Sequence, residues 1–384
     1  MGGNHVNQPS DEFYCTIAVC RRCKLGEARE RTLSVTPEEH LAPLPQPGFG
    51  GQNSLLPGSD RSDHGDPPTT SGDAPNGTPQ VIHKTSSALH SNRPFTATDF
   101  CAFLEQMPLS SSEQTHDVSA RQVRLRVVEQ GEGPPVLLLH GFLMSRHAWD
   151  DVAPGLASRA RVVTPDLPGF GDSEKPPPGR FDYGVDAFGE CMADLIAAMK
   201  LGRTTIVGHG LSGAIALSLA TKHPEFVARL VLVDPLIYPL PRKGDLFEMP
   251  VLGAFFFKQL YGRALFRAYF RDRVFSPGFT PPADRIDQFY EAFNSPPARE
   301  SAFATMHAFL DTRSSVARLT RVQAPSFVVW GRHDSLYPSQ YGQRLARELN
   351  GARLEIMDTG HAPHMEQPGR FLEVVSDFLE LEGG

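Results

Sequence analysis

The chain has 384 residues, with 37 Lys and Arg against 44 Asp and Glu and a formal net charge of −7, the two signs mixed throughout. No basic run marks a phosphate-binding face, so nucleic acid is not an expected partner. No apolar stretch reaches the roughly 20 residues that span a bilayer; the longest, Val251 to Phe257, is followed at once by Lys258.

The first residues carry no apolar segment of the kind a secretory signal needs. Val6 breaks the Met-Gly-x-x-x-Ser/Thr myristoylation pattern. Cys20-x-x-Cys23, with Cys15 nearby, has the spacing of one zinc knuckle, but no second Cys/His pair follows to complete four ligands. Cys101 and Cys191 are far away, so reduced thiols, no disulfide framework, no metal and a cytoplasmic setting are expected. From Leu41 to Pro94, Pro, Gly, Ser, Asp and Asn dominate. Such a stretch cannot bury enough apolar surface to offset its ordering entropy. Residues 1–106 therefore read as a disordered or leader-like extension, and Met107 as a candidate start of the working protein.

Over 107–384 the pattern is that of one α/β domain. Val123-Arg124-Leu125-Arg126-Val127 alternates as a half-buried strand does. Val136 to Leu139 is a continuous apolar run, as in a strand covered on both faces by helices. Strands follow at 160–164, 204–207, 230–233, 326–330 and 353–356. Helical spacing occupies Ala187 to Met199, Leu211 to Lys222, Ser339 to Leu349 and Arg370 to Leu379. Strands alternating with helices make a mostly parallel, doubly wound sheet. The alternation stops from about 236 to 322, where Phe, Tyr and Arg accumulate. That insert is expected to form a helical lid over the carboxyl edge of the sheet.

Ligands of open α/β sheets bind beyond the carboxyl ends of the strands, and five signals fall at such ends. His140-Gly141-Phe142 turns after a buried strand and would aim a backbone N–H at a developing oxyanion. Asp166 to Ser173 forms a glycine- and proline-fixed loop with a structural role. Gly208-His209-Gly210-Leu211-Ser212-Gly213 lies between strand and helix, where a G-x-S-x-G nucleophile elbow would stand. Asp334 follows a strand, and His361 lies in the loop after the next one. Elbow, acid and histidine occur in that chain order.

These residues resemble the α/β-hydrolase superfamily, of the lid-bearing kind that includes esterases, haloalkane dehalogenases and epoxide hydrolases, over about Arg121 to Leu381. The resemblance implies Asp334 as the acid, His361 as the base, and Phe142 and Leu211 as donors of oxyanion N–H groups. The departure is Gly210, which stands where the nucleophile is expected. Glycine offers no atom for an acyl-enzyme or alkyl-enzyme, although it adopts positive φ readily. Ser212 would be the fallback nucleophile if the strand ran two residues longer; otherwise it packs or caps on the helix's first turn. Asp234, ending its strand before a proline, is an alternative acid. Glu366 would support the last loop and is assigned no chemistry.

Three functions fit: an atypical hydrolase acting on a small or medium apolar substrate through a His-Asp dyad, a lyase or cyclase using the same base, or a silent member that binds an apolar ligand or a protein. No cofactor is expected, because Gly208-x-Gly210 lacks the rest of a dinucleotide fingerprint. Substrate identity and oligomeric state stay open at this level.

Overall fold

A computed structural model of the chain describes residues 113–239, 250–349 and 351–379. The expectations for residues 1–106, including Cys15, Cys20, Cys23 and Cys101, and for Met107 as a start lie outside the described residues. Eight strands form one sheet: β1 Gln114–Ala120, β2 Val123–Gln130, β3 Pro135–Leu139, β4 Arg161–Pro165, β5 Thr204–His209, β6 Val227–Val233, β7 Ser326–Gly331 and β8 Arg353–Met357. Their spatial order is β1-β2-β4-β3-β5-β6-β7-β8. β1–β2 and β2–β4 are antiparallel; all remaining pairs are parallel.

The central strands read as unbroken apolar runs because helices cover both faces. Leu137, Leu139, Ile206, Leu230 and Val328 point into one core, where helices α2 Val185–Ala198 and α3 Leu211–Lys222 pack. Val136, Leu138, Val207, Val231 and Val329 point into the other, against α1 Ala153–Ala157 and the C-terminal helix. The period of two assigns neighbours to opposite sides. Each fully buried aliphatic side chain stabilises the fold by about 2 kcal/mol relative to exposure.

β1 was not legible as a strand. Its sequence Gln-Thr-His-Asp-Val-Ser-Ala is largely polar, and all but its last residue are exposed or half-buried, as suits a sheet edge. It enters β2 through Arg121 and Gln122, both at positive φ, without the Asn-Gly or Asp-Gly that normally marks such a turn.

Between β6 and β7 the described chain forms α4 Pro250–Phe255, α5 Arg263–Tyr269, α6 Ala283–Phe293, α7 Pro296–Ala308 and α8 Arg313–Arg318. Two π-helical turns, Phe256–Leu260 and Phe270–Val274, follow α4 and α5 directly. Most of the insert's rings pack on one another: Phe266 lies 5.1 Å from Phe270, 5.4 Å from Tyr290 and 5.5 Å from Phe293. Much of the insert's aromatic content is therefore its own core. Helices α9 Gln340–Glu348, α10 Pro363–Glu366 and α11 Pro368–Leu379 complete the domain.

Candidate active site

β5 ends at His209 and α3 begins at Leu211, with Gly210 between them at φ 56° and ψ −117°. This is a sharp turn in which an L side chain is strained, and glycine meets it freely. Gly210 N donates to Val233 O at 2.9 Å, and Leu236 N donates to Gly210 O at 2.8 Å, so the turn is clamped to the end of β6. The flanking glycines have a steric cause. A Cβ on Gly208 would stand 2.5 Å from Ser212 O, and one on Gly213 would stand 2.3 Å from Pro235 Cβ.

The strand does not run two residues further. Ser212 sits in the first turn of α3, fully buried, and its hydroxyl donates to His140 O at 2.5 Å. It fastens the elbow to the loop after β3 and does not reach the cavity described below.

His361 is held at three points. Its N–H donates to Val274 O in the insert at 2.7 Å, and its carbonyl accepts from His209 Nε2 at 2.8 Å. Its Nδ1 lies 2.7 Å from Asp334 Oδ2. On its other edge, Nε2 lies 3.3 Å from where a Cβ on Gly210 would stand. Asp334 Oδ1 accepts from the N–H groups of Leu336 and Tyr337 at 2.7 and 2.9 Å. Burial alone would raise the Asp334 pKa, but the His361 imidazole and the Tyr337 N–H outweigh it and hold the carboxyl below its usual range. Glu366 braces the same loop by accepting from Gly360 N at 2.8 Å and from both N–H and hydroxyl of Ser276 in the insert.

Asp234 stands behind this pair, fully buried and at positive φ. Its Oδ1 accepts from Gly331 N at 2.9 Å, while Oδ2 meets no partner at hydrogen-bond geometry. Burial first, and then the Asp334 charge, push its pKa far up. The protonated form is the one we assign, because a second buried carboxylate beside an ionised one is costly. Asp234, Asp334 and His361 offer ligand atoms within 4.8 Å of one another. A cation there would have to break the His361–Asp334 bond. Because the fold favours the protonated Asp234, stability from this group is present at low pH and declines as pH rises through the raised pKa. Asp234→Asn keeps the acceptor for Gly331 and is neutral at every pH. Thermal unfolding is expected to show the variant losing less stability than the native chain as pH rises above the ordinary carboxylate range.

His209 and His364 lie below His361, with ring centroids 4.6 Å apart. Burial, then the charge on His361, hold His364 at about 3, so it stays neutral and packs 4.2 Å from Trp149. Burial, then His364 and His361, lower His209 likewise. The supporting role expected of Glu366 matches its contacts with Gly360 and Ser276. The roles of His209 and His364 were not legible, since isolated histidines carry no periodic signal. Cys191 is buried in the core, its thiol pushed up to about 12 by burial.

Phe142 and Leu211 reach the same place from two elements. Phe142 follows β3, and Leu211 is the first residue of α3, where helix N–H groups have no intrahelical partner. Among the described residues no backbone carbonyl takes either N–H. Both border a cavity of about 710 Å³ together with Gly210 and His361. The insert supplies the facing wall, including Phe257, Tyr261, Tyr269, Met306 and Phe309.

A mostly parallel sheet with a tight β5–Gly210–α3 turn, an acid after β7 and a histidine after β8 defines the architecture of an α/β-fold hydrolase. The comparisons agree: a family model described as alpha/beta hydrolase fold matches residues 134–368, more than half of the chain. The chain belongs to this family. It is 31% identical over 271 residues to an uncharacterised protein of Mycobacterium tuberculosis (strain ATCC 25618 / H37Rv), covering 65% of this chain and 76% of that one. It is 29% identical over 283 residues to the 2-hydroxymuconate semialdehyde hydrolase of Pseudomonas sp. (strain CF600), covering 71% of this chain and 96% of that one. A solved serine hydrolase involved in carbazole degradation superposes with a TM-score of 0.59 at 26% identity, covering 71% of this chain and 100% of the other. Among the described residues no helix is long and apolar enough to cross a membrane.

Proposed function

We propose that the chain is a hydrolase of small or medium apolar carbonyl compounds, in a cytoplasmic setting, that uses water in place of a protein nucleophile. The observation that carries this is His361 Nε2 facing the side-chain-free position of Gly210, with Asp334 bonded to the other ring nitrogen. The Asp334 carboxylate fixes the Nδ1–H tautomer, which leaves Nε2 as a base. Water gives a proton to Nε2 as its oxygen bonds to the substrate carbonyl carbon. The carbonyl electrons move to an oxygen held by the N–H groups of Phe142 and Leu211. That intermediate collapses, the bond to the leaving group breaks, and the leaving group takes the proton from His361. The insert acts as a lid that supplies the apolar wall and excludes bulk water. Base and oxyanion donors without a nucleophile leave about 10³–10⁴-fold catalysis over water.

Short-chain aryl esters test this together with a fluorophosphonate probe. Slow turnover is expected, without an initial burst and without labelling, and lost in His361→Ala. Labelling of the native chain would remove the water mechanism. Saturable binding of an apolar ligand with no turnover of any ester would favour the silent binder.

A further inference from the structure

We propose that Arg273 is an anion-binding group of this cavity, and that the preferred substrate is an apolar carbonyl compound carrying a carboxylate; the word substrate rests on the hydrolase reading, whereas the anion site does not. Arg273 is the one Lys or Arg among the described residues lining the cavity, and no Asp or Glu lines it. The surrounding wall is chiefly apolar, so with the Phe142 and Leu211 N–H groups taken by the carbonyl oxygen, a second, charged ligand group has Arg273 as its partner.

Most other arginines of the insert are committed to partners: Arg299 is held by the Phe257 and Lys258 carbonyls and Asn294, and Arg321, exposed and likewise without a carboxylate among the described residues, does not line the cavity. Arg263 and Arg267 hold Asp287, Arg271 holds Asp272, Arg285 holds Asp151, and Arg318 holds Asp186. Arg273 forms no ion pair or side-chain hydrogen bond with any described residue. In a chain with 44 acidic residues, an arginine at a cavity wall without a carboxylate has its fork of donors available.

Its position is fixed relative to the proposed base. Ser335 Oγ donates to Arg273 O at 3.0 Å, and Ser335 directly follows Asp334. The next residue, Val274, accepts the His361 N–H at 2.7 Å. Tyr269, on the same wall, is within electrostatic reach of both Arg273 and Asp334, so the cation and the dyad border one space. Both residues belong to the stretch of α5 and the π-helical turn after it, where an extra residue per turn redirects side chains. A carboxylate can meet the guanidinium with two parallel hydrogen bonds while the attached apolar chain lies along Phe257, Met306 and Phe309. Arg273 is exposed, so solvent and salt weaken the pair.

The test is equilibrium binding to the full chain at pH 8 and low salt, using octanoate and octanamide. The expected result is about tenfold tighter binding of octanoate, about 1.4 kcal/mol, with the preference shrinking as salt is added. Arg273→Gln should bring the two ligands within about twofold by weakening octanoate alone; unchanged octanamide binding shows that the cavity is intact. His361→Ala should keep the preference. Equal affinities in the native chain, no measurable octanoate binding, a preference that survives Arg273→Gln, or one that disappears in His361→Ala would each overturn the assignment. Because no turnover is read, an inactive chain that prefers octanoate sinks the hydrolase reading and leaves the anion site standing.

Discussion

Gly210→Ser is expected to convert the chain into a protein labelled covalently by a fluorophosphonate, with aryl-ester turnover about 10²–10⁴-fold above the native chain. The backbone at Gly210 already has the conformation that a nucleophile elbow imposes, at φ 56° and ψ −117°. A Cβ built there stands 3.3 Å from His361 Nε2 and 3.9 Å from the Gly141 Cα, so the added atoms need only a few tenths of an ångström from a side chain at the cavity surface. The hydroxyl then falls within hydrogen-bond reach of Nε2, which is the pairing that activates a serine. Placing an L side chain at this φ costs about 1–2 kcal/mol, a loss of a few degrees in melting temperature. The gain should vanish when His361→Ala is added. Ser212→Ala should leave the labelling of Gly210→Ser intact, because the Ser212 hydroxyl is committed to His140 O. Labelling that is absent in Gly210→Ser, while the variant melts only a few degrees lower, would show that the elbow does not present an attacking atom to the cavity.

Much of this site could be read before any coordinates. The strand-end positions of Phe142, Gly210, Asp334 and His361 follow from where apolar runs stop, and runs of that kind arise because both sheet faces are covered. Strand alternation could not choose between Gly210 and Ser212 as the elbow, since a two-residue shift preserves the face of a strand. The steric contacts choose: Gly208 packs on Ser212 O, and Gly213 packs on Pro235. What lay beyond the sequence depends on long-range pairing. Asp234, readable in the sequence as an alternative acid before a proline, meets the backbone of Gly331, 97 residues further along, through its buried carboxyl. Glu366 binds Ser276 across 90 residues. Arg273 is one of many arginines in the insert, and its place on the cavity wall without a carboxylate is set by packing between distant segments. The edge strand β1 was hidden for the opposite reason, having almost no apolar side to reveal it.

Asp334→Asn is expected to remove nearly all turnover, about 10⁴-fold when measured in the Gly210→Ser background. Asp334 Oδ1 is committed to Leu336 and Tyr337, and Oδ2 receives the proton on His361 Nδ1. The amide would keep its oxygen on the two backbone donors and turn its NH₂ toward Nδ1. His361 would then carry its proton on Nε2, the edge facing Gly210, and could no longer act as a base there. The substitution also removes the charge that stabilises the imidazolium formed during reaction. Stability should change with pH in a way that checks the same assignment. The Asp334 pKa is depressed in the fold, so the unfolded chain binds the proton more readily. The stability it contributes is present above the ordinary carboxylate range and is lost as pH falls through its lower folded value. Asp334→Asn should therefore be less stable than the Gly210→Ser parent near neutral pH and approach it in acid. Asp234→Asn, which alters the carboxyl assigned as protonated, should retain most of the parent's turnover. If Asp234→Asn were instead the more damaging of the two, the acid that serves His361 would be Asp234, and the roles of the two buried carboxyls would have to be exchanged.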